Sequence, residues 1–233
     1  MTLPTQEINN RLLGALRPDD LALLIRDLEP VVLAKKQVLY EVGEPLDHIY
    51  FIEEGVASVM TMMEDGASSE VGMVGPEGLV GVSALLGGDT SVQHVVVQLA
   101  GTAHYISAAR CRAAFERSAG VRRVVLRFIE DLLNLSSQTA ACNRLHSVEQ
   151  RTARWLLMAS DRIDSNLLPL TQEFLAAMLG VRRSGVSEAA GELQRSGLIR
   201  YRRGEITIVD RAGLEATACE CYGLDRQRIE RLR

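Results

Sequence analysis

The sequence predicts an α+β protein in three consecutive parts: an N-terminal antiparallel β-roll, one long helix, and a helical domain that ends in a β-hairpin. Three observations predict it. Short β-rich runs closed by Gly, Pro or acidic turn residues recur from Val31 to about Ile106. Apolar or small residues then recur at alternating steps of four and three from Val121 to His146. From Leu170 onward two helical patterns flank a glycine and give way to period-2 alternation.

Taken in order, residues 5–28 carry a helical pattern (Leu12, Leu13, Leu16, then Leu21, Leu24, Ile25, Leu28) broken near Pro18, which predicts a helical cap on the roll. Val38 to Val42 ends in Gly-Glu-Pro, Ile49 to Ile52 in Glu-Glu-Gly and Val56 to Met63 in Glu-Asp-Gly, while Val92 to Leu99 is followed by Gly101. Strands at this spacing predict a roll of the double-stranded β-helix or jelly-roll type, because turns that need positive φ are cheapest at Gly and Asp-Gly. Ser107 to Glu116 reads as a short helix.

The next pattern is Val121, Val125, Phe128, Leu132, Leu135, Thr139, Cys142 and His146, a heptad seam along roughly 39 Å of helix at 1.5 Å per residue. A helix that long carries more apolar stripe than a small roll covers. The seam is therefore read as a two-stranded dimer contact, with packing on its own roll as the alternative. A further helix follows in Val148 to Ile163, with Ala153, Leu156, Leu157 and Ser160 on one face, and Asp164-Ser165-Asn166 stops it. The expected division is a capped β-roll at 1–120, a dimerisation helix at 121–148 and a last domain at 149–233.

Composition narrows the class. The 233 residues are 47% apolar and 24% charged with no low-complexity tract, which argues against disorder. No basic flank precedes an apolar block at the N-terminus, and no run approaches the ~20 apolar residues of a membrane helix, so the expectation is a cytoplasmic protein without membrane contact. The net charge of −4 hides an asymmetry: residues 1–148 hold 12 Lys and Arg against 18 Asp and Glu, whereas residues 149–233 hold 14 against 12. Six arginines (182, 183, 195, 200, 202, 203) face only Glu188 and Glu192 within 182–203. An acidic front and a locally basic back suggest separated jobs. Cys111, Cys142, Cys219 and Cys221 are too few and too scattered for a disulfide framework and read as reduced thiols.

The informative stretch is Leu170 to Asp210. Thr171 caps a helix with Glu173 in its first turn, Leu175, Ala176 and Leu179 face inward, and Gly180 ends it. Val186, Ala189, Ala190 and Leu193 then recur at i, i+3, i+4 and i+7, predicting a second helix from about Arg183 to Arg195 closed by Gly197. Ala176, Gly180 and Val186 meet the steric needs of a helix-turn-helix: close approach, a turn, and a lock of the second helix on the first. Its exposed face carries Arg182, Arg183, Ser184, Ser187 and Glu188, a base-reading set, since Arg bonds guanine O6 and N7 and Glu accepts from cytosine N4. Leu198 to Val209 alternates around a glycine turn as a two-stranded wing whose Arg200, Arg202 and Arg203, with Thr171 and Gln172, suit the DNA backbone. Trp155 and Tyr201 read as packing between the last helices and the wing. No P-loop, G-x-S-x-G or H-E-x-x-H occurs, so no enzyme is expected. A non-DNA assembly module built on the roll and a coiled coil is the alternative; arginines on both helix and wing count against it.

At these residues the chain resembles the Crp/Fnr family of bacterial transcription regulators over nearly its whole length. VLYEVGEPLDHIYFIEEGVASV and GPEGLVGVSALLGG resemble that family's cyclic-nucleotide-binding-type β-roll, the long helix its dimerisation helix, and LTQEFLAAMLGVRRSGVSEAAGELQRSGLIRYRRGEITIVD its winged DNA-binding domain. The resemblance implies a homodimer that places two recognition helices in successive major grooves of an inverted repeat, about one helical turn apart. It also implies a roll that senses an effector or works constitutively, and an RNA polymerase contact around Asp164 to Leu168, a loop that is short here.

The implied effector pocket comprises Gly81, Val82, Ser83, Val92, Gln93, Ser136 and Ser137. Where cyclic-AMP-binding members supply a ribose-binding Glu and an Arg-Ser pair for the cyclic phosphate, this chain has Val82, Val92 and Gln93. A phosphate inside a barrel without an Arg is poorly compensated, so ordinary cyclic AMP binding is not expected and the effector is not legible. Ser136 and Ser137 fall where the family's adenine contacts sit, although small polar residues in a seam also have a packing explanation. Iron-sulfur sensing of the Fnr kind needs N-terminal cysteines, and the first here is Cys111. His48, His94, His104 and His146 are isolated from one another, and Cys219-x-Cys221 has no histidine nearby in sequence, so no haem, cluster or metal site is expected.

Overall fold

The computed structural model describes residues 8–231; the first residues of the expected cap, 5–7, lie outside the described residues. The chain forms two compact units, one from residues up to 59 and 73–133, the other from 60–72 and 134–230.

The first unit begins with α1 (Arg11–Gly14) and α2 (Pro18–Leu21), so the expected cap is two single turns followed by a non-helical segment. Pro18 opens α2, where its missing N–H costs nothing. Six strands follow: β1 (Glu29–Leu33), β2 (Val38–Tyr40), β3 (His48–Met62), β4 (Ser68–Val74), β5 (Leu79–Val80) and β6 (His94–Ser107). They make one sheet in the order β1-β6-β3-β4, with β2 on β6 and β5 on β3. A 3-10 turn, Val82–Leu86, lies between β5 and β6, and α3 (Ala108–Arg117) follows with Ser107 as its cap. Leu13, Ile49, Ile52, Val56, Val97 and Ile106 are fully buried.

The structure differs from the sequence reading in the middle of the sheet. Ile49 to Ile52 and Val56 to Met63 are expected as two strands with a turn at Glu-Glu-Gly; they are one 15-residue strand, β3. Likewise β6 runs straight through Gly101 rather than stopping before it. These glycines mark close backbone approach. A Cβ on Gly101 would lie 2.0 Å from the Glu54 carbonyl oxygen, and Gly55, at φ +86°, would place one 2.5 Å from that of Leu99. Glycine here permits close approach of paired strands instead of ending them.

The cap is fastened by polar groups. Buried Asn10 donates from its amide to the Ile52 and Gly78 carbonyls, both at 2.8 Å, and accepts from Leu13 N. Glu53 accepts from the backbone N–H groups of Asn9 and Asn10 and bonds His104 Nδ1 at 2.8 Å.

α4 (Ala119–Leu145) is one continuous 27-residue helix that contributes to both units. The second unit continues with α5 (Val148–Ile163), β7 (Leu167–Leu168), α6 (Gln172–Leu179), α7 (Arg183–Arg195), β8 (Ile199–Arg202), β9 (Glu205–Ile208), α8 (Arg211–Thr217) and α9 (Cys221–Arg231). Ser147 and Gln150 form a capping box on α5, and Asp164 ends that helix in the left-handed conformation, φ +49°. β7-β9-β8 is a small antiparallel sheet. A buried ion pair, Arg162 to Asp225 at 3.2 Å, and the Arg211, Tyr222 and Asp161 network hold α9 and α8 to α5. Among the described residues no helix is long and apolar enough to cross a membrane.

Gly101→Ala is expected to destabilise the chain by about 1–3 kcal/mol or more, since its Cβ meets backbone that cannot yield. Gly191→Ala in α7, where a Cβ meets nothing within 4 Å, should gain roughly 0.5–1 kcal/mol. Urea denaturation of both variants checks the contrast.

Candidate nucleic-acid interface

The helix-turn-helix is built as its residues require. Thr171 Oγ1 accepts from Phe174 N at 3.2 Å and starts α6, which ends at Gly180 in the left-handed conformation, φ +61°. Arg151, buried on α5, donates to the Leu179 carbonyl, satisfying an otherwise orphaned acceptor at the end of α6. Val186, Ala189, Ala190 and Leu193 form the buried face of α7, with Val186 and Leu193 fully covered.

That packing leaves the opposite face of α7 outward. Arg182, Arg183, Ser184, Ser187 and Glu188 are all exposed. Arg182 is the N-cap residue yet makes no side-chain cap, and its carbonyl accepts from Gly185 N at 2.9 Å to start α7. Ser187 Oγ donates to Gln172 Oε1 at 2.7 Å, which ties α7 to the first turn of α6 and orients both side chains.

The wing follows without slack. Gly197, φ +75°, closes α7, and Arg203-Gly204, at φ +52° and +81°, make the left-handed pair of a two-residue hairpin turn. In β8 Ile199 is buried, Tyr201 half-buried, and Arg200 and Arg202 are exposed, as period 2 demands. Tyr201 N donates to Gln194 Oε1 at 2.8 Å, fixing the wing to the end of α7. Among the described residues no carboxylate pairs with Arg182, Arg183, Arg200, Arg202 or Arg203. Trp155 is buried on α5, and its indole N–H donates to Glu70 Oε1 at 3.1 Å on β4.

The other candidate residues fare differently. Gly81 takes φ +95°, and a Cβ there would meet Tyr40 Oη at 2.8 Å and the His48 carbonyl oxygen at 2.9 Å, so the strand–turn junction admits only glycine. Val82 and Ser83 begin the 3-10 turn, Gln93 is half-buried, and Val92 is 74% exposed. Ser136 and Ser137 stand on α4 in the second unit, half-buried and exposed.

On α4 the expected dimer seam is taken up within the chain. Val121, Val125, Phe128, Leu135 and Cys142 are buried, and Leu132, Thr139 and His146 are half-buried. The Phe128 ring fills the space beside Gly78, where a Cβ would come within 2.5 Å of it. The exposed apolar residues of α4 are instead Leu126, Leu133 and Leu145.

The structure also joins residues the sequence left apart. Cys142 in the last turn of α4 and His146 just past its end meet Cys219 and Cys221 from the α8–α9 turn, all four ligand atoms lying within 4.8 Å of one another. The hydrogen bond with Cys219, supported by His146, holds the Cys142 thiol well below the usual thiol range despite its burial, and the hydrogen bond with Cys142 in turn raises His146. His146 is thus not isolated, and Cys219-x-Cys221 does have a histidine beside it. The only sequence signal was the Cys-x-x-x-His spacing, which on a helix puts both side chains on one face.

Comparison with known proteins agrees with the architecture. The cyclic nucleotide-binding domain family matches residues 30–118, and the Crp-like helix-turn-helix domain family matches residues 150–217. The CRP-like cAMP-activated global transcriptional regulator of Mycobacterium tuberculosis is 24% identical over 83% of this chain and 89% of its own. The transcriptional activator protein FnrA of Stutzerimonas stutzeri is 24% identical over 80% of this chain and 79% of its own. The fold is shared with FixK2 of Bradyrhizobium japonicum, at TM-score 0.70 and 16% identity over 82% of this chain and 98% of that one. A cyclic-nucleotide-type roll followed by a winged helix-turn-helix defines a class of DNA-binding transcription regulator. The chain belongs to the Crp/Fnr family of these regulators.

Thr171→Val keeps the side-chain shape and removes the α6 cap. It should cost about 0.5–2 kcal/mol, measured as a lower urea midpoint with unchanged slope.

Proposed function

We propose that this regulator binds an inverted-repeat operator as a homodimer, with the α7 face reading bases and the wing holding the backbone. The observation that carries the reading is the exposed, carboxylate-free arginine set at the start of α7 and along β8, displayed by a buried scaffold. Arg182, Arg183, Ser184 and Glu188 are assigned to the major groove, with Ser187 oriented through Gln172. Arg200, Arg202 and Arg203, with Thr171 and Gln172, are assigned to phosphates.

The dimer contact is assigned to the free side of α4. Leu126, Ile129, Leu133, Ser136 and Ala140 recur at steps of three and four, and Leu126 and Leu133 are 46% and 64% exposed. That is the spacing of a two-stranded helical seam left open by the intrachain packing of Val121, Val125 and Phe128. The M. tuberculosis relative is named for activation by cAMP. This chain has no arginine at Val92 or Gln93 and no glutamate at Val82, so its roll answers to a different effector or works constitutively. The protein acts where its operator lies, in the cytoplasm. An RNA polymerase contact falls on Asp164 to Leu168, where Leu167 and Leu168 are engaged with β9 and the exposed Asp164 and Asn166 side chains face outward.

The test is selection from a random duplex DNA pool with the purified protein. Enrichment of a two-fold inverted repeat supports the reading, whereas equal retention of all sequences, or none, at low salt overturns it. On the selected site Arg183→Ala should cost about 1–3 kcal/mol and relax one base position; Arg202→Ala should weaken all sequences alike and lower the salt slope by about 1. Leu133→Glu should convert the sedimenting species from dimer to monomer.

A further inference from the structure

We propose that Cys142, His146, Cys219 and Cys221 bind a single zinc ion in a tetrahedral thiolate–imidazole site that fastens the α8–α9 turn to the end of α4. The distances fit one ion. A tetrahedron with metal–sulfur bonds of about 2.3 Å has edges of about 3.8 Å. Two opposite edges already stand near that length, Cys142 Sγ to Cys219 Sγ at 3.6 Å and Cys221 Sγ to His146 Nδ1 at 3.7 Å. All four donors lie within 4.8 Å of one another. An iron-sulfur cluster, whose iron atoms are themselves separated, needs donors spread more widely than a single ion does.

The surroundings are those of a ligand set. His146 presents Nδ1 to the thiols while its Nε2 meets the Glu220 carboxylate at 3.1 Å, the carboxylate–histidine arrangement that orients a metal-bound imidazole. Gln138 Nε2 donates to Cys221 Sγ at 3.0 Å, as amide groups do to bound thiolates. Cys142 and Cys221 are fully buried and Cys219 is 3% exposed, so the site is closed, as structural zinc sites are.

Charge supplies an independent argument. Arg151 and Arg154 are buried beside the cluster at 7% and 6% exposure, and among the described residues neither pairs with a carboxylate. Arg154 reaches only Thr139 Oγ1, one turn from Cys142 on α4. A buried cation needs an anion. Three thiolates on one Zn²⁺ leave a net negative charge near the end of α4, where Arg154 reaches that helix. The four ligands also bracket α5 through α8 and the wing in sequence, so one ion closes a loop around the whole winged domain.

The test uses the full chain, purified under reducing conditions without added metal, with metal content read by mass spectrometry. About one zinc per chain is expected, and after chelation Co²⁺ should restore about one equivalent with intense thiolate-to-cobalt absorption and a raised melting temperature. The Cys219→Ser/Cys221→Ser chain should lose both metal and absorption, while Cys111→Ser keeps them. Where the double variant fails to fold, the wild-type Co²⁺ spectrum decides. Less than about 0.1 equivalent of zinc with no Co²⁺ absorption overturns the site, as does full metal content in the double variant. Stoichiometric iron with acid-labile sulfide overturns the single-ion assignment. None of these readouts depends on DNA binding.

Discussion

The structure depends on a single helix having three sides to satisfy. α4 runs for 27 residues, about 40 Å, and no single unit can cover a rod of that length. Its first half buries Val121, Val125 and Phe128 in the β-roll unit, and its last turn, with His146 just beyond it, gives Cys142 to the second unit. The side that remains carries Leu126 and Leu133 outward. The helix is continuous and has residues in both units.

The two units stabilise themselves by different means. In the roll, long strands β3 and β6 cross so closely that Gly55 and Gly101 have no room for a side chain, and the cap is held by Asn10 and Glu53 rather than by apolar contact alone. Every buried polar group in that clamp has a partner, which lets it specify one arrangement of cap on sheet. In the second unit, α5 is buried on nearly every side and serves as the platform. Arg151 finishes α6, while Arg162 and the Asp161, Tyr222 and Arg211 network secure α9 and α8. The exposed side chains of α7 need no such partners. They stay exposed because the buried half of α7 already determines where they point.

The cysteine and histidine group changes the reading of the C-terminus. Instead of trailing away after the wing, α9 returns beside α4 through Cys219 and Cys221. The end of α4 and the start of α9 are thereby held together. A thiolate-bound ion there would strengthen the same tie, and its loss would loosen it.

Local rules made much of the protein readable in advance. Thr171, Gly180, Gly197 and the i, i+3, i+4, i+7 set around Val186 define the helix-turn-helix because caps, turns and amphipathic faces depend on neighbours within a few residues. The alternation in β8 with the Arg203-Gly204 turn defines the wing for the same reason. Misreadings occurred where meaning depends on distant partners. Gly-containing segments at 53–55 and 101 looked like strand ends, yet they are strand interiors, since only the opposing carbonyl shows why glycine is required. The heptad of α4 correctly marked a helix with a packing stripe, but periodicity cannot say whether a stripe meets its own chain or another. Cys142 and Cys219, 77 positions apart, sit 3.6 Å from each other, and nothing in their local sequence records it. Composition and periodicity determined the class, the helices and the exposed face of α7; only tertiary packing decided which stripe of α4 is free and which scattered thiols lie together, because contacts between remote residues are set by how whole elements dock.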